Sequence, residues 1–327
     1  MKNDKVTILG PGAYGLSLSL MFYENTHNII LWSHLKEEIE ELKQNHGNEK
    51  RLPGITIPNE IKFTNNLEEA IKDASIIVFA TPAFAIEDIC KKLKPIINKK
   101  QIICIATKGI QNDSCMFLSE VTKKYLDNPI TVIAGPTFAI DLAKLEPAAL
   151  TIASTDKNAM KLNTELLENN HLKIEQIDDV IGVEFLRAIK NVIAIASGIL
   201  SGLGNSTSTN AFMITEVLKH FTPFLKKLGG NPNSILTFAG IGDLMLTCTS
   251  EKSRNFSFGK IIGETKDKDK ITEYLNTNTV EGRYTLESVH QMLKRKNIDL
   301  PIIDILYRIV YNYEDPNILI DFLMDKK

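Results

Sequence analysis

The residues of this chain best placed for proton chemistry lie in the stretch Val183 to Leu200, VEFLRAIKNVIAIASGIL. Its polar members Glu184, Arg187, Lys190 and Asn191 recur at helical spacings of three and four, so they share one stripe of a helix that is apolar on almost every other side. Ala194, Ser197 and Gly198 continue the stripe with small residues, which lets another element approach closely. A helix of this kind belongs inside a protein. A lysine held there is costly while charged, and desolvation draws its proton affinity down toward the range where it exchanges protons near neutral pH. Lys190 is therefore a candidate acid/base. A Lys190 that snorkels to water beside an ion-paired Glu184 and Arg187 gives the same pattern.

The second chemical signal is Gly10-Pro11-Gly12-Ala13-Tyr14-Gly15, set between the strand-like run Lys5 to Leu9 and the helical run Leu16 to Tyr23. In a strand, glycine turn and helix of this form, Gly10 permits the tight turn, Gly12 lets a pyrophosphate reach the backbone, and Gly15 lets helix and strand pack closely. The helix N-terminus then faces the anion. The next strand, Asn28 to Trp32, ends at Ser33-His34, where an NAD-specific site commonly carries a carboxylate for the ribose 2′-hydroxyl. With none there, a 2′-phosphate is not repelled, and His34 and Lys36 favour NADPH unless they are only a solvated turn.

The elements that must position these groups repeat one unit. Ile61 to Thr64, Ser75 to Ala80, Gln101 to Ala106 and Thr131 to Ala134 read as strands, and an Asn66-capped segment and a run ending near Leu93 read as intervening helices. Such alternation predicts a doubly wound, mostly parallel α/β sheet, completed by Ala149 to Ala153 and Leu172 to Ile174. Ligands bind such sheets outside the carboxyl ends of the strands, where Thr81, Lys108, Gly135 and Thr137 fall. Lys108 there meets an anionic substrate; on an exposed loop it would be unremarkable.

From Val183 onward the pattern is helix after helix, with Ala211 to Leu228, Tyr284 to Leu293 and Ile302 to Tyr313 the clearest runs. Asp178-Asp179 is expected to cap the central helix, and Lys266 to Lys270 to form a charged loop. Two apparently irregular stretches, Ala239 to Leu244 and Ser253-Arg254-Asn255, hold more polar residues and glycine than a connector needs. Asp243 is suited to orient Lys190 or a substrate hydroxyl, and Arg254 to clamp a phosphate with its planar fork; each also suits a cap or a surface. The chain thus divides into a dinucleotide-binding domain, 1–180, and an all-α substrate domain, 181–327.

Composition narrows the classes. A length of 327 residues favours two cores, and a net charge of −2 provides no basic field for nucleic acid. No apolar segment is long enough to span a bilayer, so a cytoplasmic protein is expected. Cys90, Cys104, Cys115 and Cys248 form no CxxC pair and the six histidines are scattered, which argues against a metal site or a disulfide framework.

The ordered segments ILGPGAYG, LWSH, RLPGI, ATKGI, GPTFA, GVE, KNVIAIASGI, AGIGDLMLTCTS, SRNFSFG and VEG resemble the bacterial NAD(P)-dependent glycerol-3-phosphate dehydrogenases over nearly the whole chain. The resemblance implies a Rossmann-like domain followed by a helical one, a homodimer, and reversible reduction of dihydroxyacetone phosphate to sn-glycerol 3-phosphate for phospholipid synthesis. It implies Lys190 as proton acceptor, with Lys108, Gly135, Thr137, Asp243, Ser253, Arg254 and Asn255 around the substrate. Ala13, Tyr14, His34, Lys108, Ala139, Arg254, Thr279 and Glu281 would touch NADPH or NADH. Hydride would pass between the nicotinamide and the central substrate carbon while Lys190 moves the hydroxyl proton, and Lys108 with Arg254 would offset the phosphate charge.

Three departures stand against the family pattern. Leu186-Arg187 replaces two glycines, and Asn210 and Glu216 stand where basic residues are usual. A related β-hydroxyacid or 6-phosphogluconate type dehydrogenase, and a catalytically decayed NADPH-binding protein, are the competing readings.

Overall fold

The computed structural model describes residues 3–111, 114–265 and 267–324. Eight strands form one sheet: β1 (Lys5–Leu9), β2 (Ile29–Trp32), β3 (Lys62–Thr64), β4 (Ala74–Phe79), β5 (Ile102–Ile105), β6 (Ile130–Ala134), β7 (Ala148–Ala153) and β8 (Leu172–Ile177). The order is β3-β2-β1-β4-β5-β6-β7-β8, parallel throughout except where β7 runs against β6. β5 (IICI) is an unbroken apolar run and β4 (ASIIVF) is interrupted only by half-buried Ser75, the pattern of strands buried on both faces rather than alternating ones. Val6, Ile8, Ile76 and Val78 are fully buried. The order reverses between β1 and β4, and the glycine turn follows β1 at that switch point.

The chain separates into two compact units. The first runs to Lys108 and resumes at Leu118–Val180; the second holds Gly109–Phe117 and everything from Ile181. The sequence gives no sign of this excursion, because 109–117 lies between two strands of the sheet. Its apolar side chains Ile110, Cys115 and Phe117 nevertheless enter the helical core, and Arg295 donates to the Ser114 carbonyl at 3.2 Å.

The second unit is built around the helix Val180–Gly202, in which every residue from Gly182 to Leu200 is buried. Phe185 meets Phe221 and Phe224 at ring separations of 5.4 and 4.7 Å. On the small-residue stripe, Gly198 and Gly202 lie against Gly259 and Gly263 of the helix Arg254–Thr265, and a Cβ on any of the four would collide with the backbone of the opposing helix. The close approach expected from the stripe is thus a helix crossing. Lys268–Lys270 opens the helix Lys268–Thr277 instead of forming a loop: the Asp267 side chain accepts from the Asp269 N–H at 2.9 Å, a cap that outweighs the charge run. Lys266 lies outside the described residues. No helix among the described residues is long and apolar enough to cross a membrane.

Candidate active site

In the first unit the glycine turn is forced by its surroundings. Gly10 has φ +106°, and a Cβ there would sit 2.9 Å from the Ala80 carbonyl oxygen. A Cβ on Gly15 would run into the Gly10 carbonyl. Gly12 precedes the helix Ala13–Tyr23, whose first turn carries no acidic residue and whose N-cap offers no side chain to the amides. Those amides lack intrahelical acceptors, so the turn is suited to an anion. Around it gather several residues singled out from sequence. The Tyr14 hydroxyl lies 3.5 Å from Thr137 Oγ1, Lys108 Nζ is 5.3 Å from the Tyr14 ring centre, and Ser17 donates to the Ala139 carbonyl at 2.6 Å. Thr107 donates to the Thr81 carbonyl at 2.8 Å, tying together the ends of β4 and β5. Gly135 packs on β7, where a Cβ would lie 2.6 Å from the Ala149 oxygen. Thr81 Oγ1 is buried at this same edge with no hydrogen-bond partner, a polar atom of the kind a ligand completes.

His34 stands apart, exposed beyond the end of β2. The sequence positions Ser33 and His34 carry no carboxylate, but the structure brings one. Glu38, in the first turn of the helix Lys36–Asn45, accepts a short hydrogen bond from Ser33 Oγ. Its other oxygen pairs with Arg51 Nη2 at 2.7 Å, and Arg51 Nη1 donates to the Pro11 carbonyl at 3.2 Å. Neither Glu38 nor Arg51 was singled out from sequence, although Arg51 opens the RLPGI segment.

In the second unit Lys190 does not snorkel. Its ammonium bonds to Asp243 Oδ1, with the two side chains 4% and 2% exposed. Asp243 is delivered by the stretch Phe238–Gly242, a wide π-type turn kinked at Gly240 (ψ −109°), which runs into the helix Asp243–Thr249. A Cβ on Gly240 would meet the Ser234 and Ile235 carbonyls, so the kink needs glycine. What reads as an irregular stretch is therefore a helix start aimed at Lys190. Nearby Cys248 is fully buried, and burial pushes its thiol up to about 12, so it is no thiolate near neutral pH.

A second cluster adjoins this helix. Arg254 is the first residue of the helix Arg254–Thr265 rather than part of a loop, with Ser253 Oγ accepting from the Phe256 N–H at 3.3 Å as a cap would. Arg254 is exposed and no carboxylate among the described residues pairs with it. Asn255 Oδ1 accepts from the Gly282 N–H at 2.8 Å, and Gly282 lies against the Asn191 carbonyl. This holds the exposed Thr279 and Glu281, either side of buried Val280, beside Ser253-Arg254-Asn255.

The family model described as the NAD-dependent glycerol-3-phosphate dehydrogenase N-terminus matches residues 5–160, and that of the C-terminus matches residues 179–321. The chain belongs to this family. It is 34% identical, over its full length and 98% of the relative's, to the NAD(P)+ glycerol-3-phosphate dehydrogenase of Listeria monocytogenes serotype 4a. It is likewise 34% identical to the corresponding Clostridium botulinum protein, over 98% of this chain and 97% of the relative. The crystal structure of glycerol-3-phosphate dehydrogenase from Coxiella burnetii superposes with a TM-score of 0.91 at 30% identity, covering 99% of each chain.

Set against this glycerol-3-phosphate dehydrogenase family, two of the departures, Asn210 and Glu216, have local partners. Asn210 donates to the Cys248 carbonyl at 3.3 Å, tying the helix Thr207–Leu228 to the end of the Asp243 helix. Glu216 pairs with Lys219 at 2.6 Å along its own helix. Leu186 and Arg187 are 4% and 1% exposed, and Arg187 is among the largest fully buried side chains of the molecule.

Proposed function

We infer that this chain catalyses the reversible, NAD(P)H-dependent reduction of dihydroxyacetone phosphate to sn-glycerol 3-phosphate. The observation that carries the reading, given the family, is the buried Lys190–Asp243 pair. In the reducing direction the Lys190 ammonium delivers a proton to the oxygen of the central carbon, and in the oxidising direction the amine takes it back. Asp243 orients Nζ and balances its charge while it is held out of water. Lys108 and Arg254 offset the phosphate charge, Gly135, Thr137, Ser253 and Asn255 complete the substrate contacts, and Glu184, Arg187 and Asn191 surround the base on its helix.

The glycine turn with its unhindered Gly12, the acid-free helix start and the orphaned Thr81 hydroxyl fit a dinucleotide. When bound, the reduced nicotinamide supplies the hydride. Gly10, Gly12, Ala13, Tyr14 and Gly15 hold its pyrophosphate, Ala139, Thr279 and Glu281 add contacts, and His34 favours the 2′-phosphate of NADPH. The product would supply glycerophospholipid synthesis in the cytoplasm, and the protein would act as a homodimer, a mass that light scattering reads directly. Asn210 and Glu216 hold structural partners in place of the usual cations, which speaks against decay of the site.

The test is the fall of NADPH absorbance on adding dihydroxyacetone phosphate. Turnover is expected, and a folded protein that binds NADPH yet turns nothing over would sink the reading. Arg187 supplies a separate expectation. A buried cation one turn from Lys190 opposes a second positive charge, so Arg187→Ala should displace the pH-rate profile or raise the substrate KM several-fold. An unchanged profile and KM would remove Arg187 from the site.

A further inference from the structure

Glu38 and Arg51 are brought together by folding at the place where the adenosine ribose of a dinucleotide is read. We propose that this ion pair sets the choice between the two cofactors, with Arg51 gripping the 2′-phosphate of NADPH and Glu38 accepting the 2′-hydroxyl of NADH. The inference rests on the dinucleotide site proposed above and deepens it.

Three observations locate the pair. Glu38 is bonded to Ser33, the first residue beyond β2, and β2 flanks β1 on the side away from the β1/β4 switch point, which is the adenosine side of such sheets. A carboxylate about twenty residues past the glycine turn is the usual partner of a ribose 2′-hydroxyl, and an arginine nearby the usual partner of a 2′-phosphate. Arg51 reaches the other way, onto the Pro11 carbonyl, and its Nη1 is the sole side-chain atom within 4 Å of a Cβ built on Gly12. The guanidinium therefore spans the gap between the pyrophosphate cradle and the ribose position. It remains 44% exposed, while Glu38 is 10% exposed.

The charges make the pair a balance rather than a fixed preference. Alone, Glu38 would repel a 2′-phosphate; paired with Arg51 it is neutralised, and the five-donor fork has donors left for a phosphate. When the ribose carries a hydroxyl, Glu38 keeps Arg51 and accepts one further hydrogen bond. The exposed Lys36 then adds long-range attraction for the phosphate but not the choice itself.

The experiment is direct titration of NADPH and NADH by ligand fluorescence on the full chain, with adenosine 2′,5′-bisphosphate and 5′-AMP as competitors that carry the adenosine end alone. Arg51→Gln is expected to lower the affinity for NADPH relative to NADH, and for the bisphosphate relative to 5′-AMP, about tenfold. Glu38→Gln should weaken NADH about tenfold and leave NADPH equal or tighter, so the two variants move the affinity ratio in opposite directions. Because Arg51 also braces the glycine turn, its loss can weaken both cofactors together, and the ratio is the quantity that decides. Arg51→Lys keeps the charge and should retain most of the NADPH affinity. A ratio equal in all four proteins overturns the proposal while leaving the dinucleotide site intact, and an unmodified chain that binds neither cofactor overturns both.

Discussion

Lys190→Ala is expected to lower turnover of dihydroxyacetone phosphate by about two to four orders of magnitude, the usual worth of a positioned acid/base. NADPH affinity should hold, because the glycine turn, Tyr14 and Lys108 lie in the other compact unit. Reduction of the carbonyl leaves an alkoxide-like oxygen, and a positioned ammonium protonates it as the charge develops. Asp243 cannot substitute, since an ionised carboxylate has no proton to give. A small primary amine added to the solution should restore part of the rate of Lys190→Ala, since the missing group is a proton-carrying amine and the truncated side chain leaves space for it. Rescue of the reduction that falls as the added amine becomes more basic, as expected of a proton-donating ammonium, identifies proton transfer; a variant that turns over at the wild-type rate would remove Lys190 from the chemistry. Loss of rate with equal loss of NADPH binding would instead point to disruption of the fold.

The features that drive this prediction were unequally legible in the sequence. The glycine turn could be read because each glycine answers a local steric demand, and Gly10 and Gly15 are indeed pressed against Ala80 and against each other. The inner strands β4 and β5 were visible as short apolar runs because burial leaves almost no polar alternation to confuse them, whereas β8 (LKIEQI) alternates buried and exposed residues. The polar stripe on the central helix was legible from period alone, as was its burial. Three-dimensional return of the chain was not. Glu38 reaches Ser33 only because the helix Lys36–Asn45 folds back on the end of β2, so inspection of the strand end finds no carboxylate. The excursion of 109–117 into the helical core leaves no local mark, since a few apolar residues between strands suit either unit. The kink at Gly240 and the caps at Ser253 and Asp267 are local, yet glycine and charge there read as loop; packing of Gly240 on the Ser234 and Ile235 carbonyls and the side-chain caps of Ser253 and Asp267 make them helix starts.

Asp243→Ala is the substitution expected to cost most in stability. With both side chains almost wholly buried, its removal strands the Lys190 ammonium without its carboxylate, and breaking one half of such a pair costs about 3–5 kcal/mol. The loss should appear in the chemical unfolding curve followed by far-ultraviolet ellipticity, which the helical unit dominates. The single tryptophan, Trp32, sits on β2 and reports the first unit separately, so a shift confined to the ellipticity transition localises the damage. The paired variant Lys190→Met with Asp243→Leu removes both charges and fills their space with apolar volume. Its stability should return to within about 1–2 kcal/mol of wild type or exceed it, because the favourable pairing of two buried ions is largely offset by their desolvation. Its turnover should stay absent. Recovery of stability without recovery of rate would establish that the pair is kept for proton transfer, since a fold that needed only cohesion here is served as well by methionine and leucine. An Asp243→Ala protein as stable as wild type would mean that the Lys190 ammonium finds water or another acceptor, and the claim that Asp243 is needed to balance it would fall.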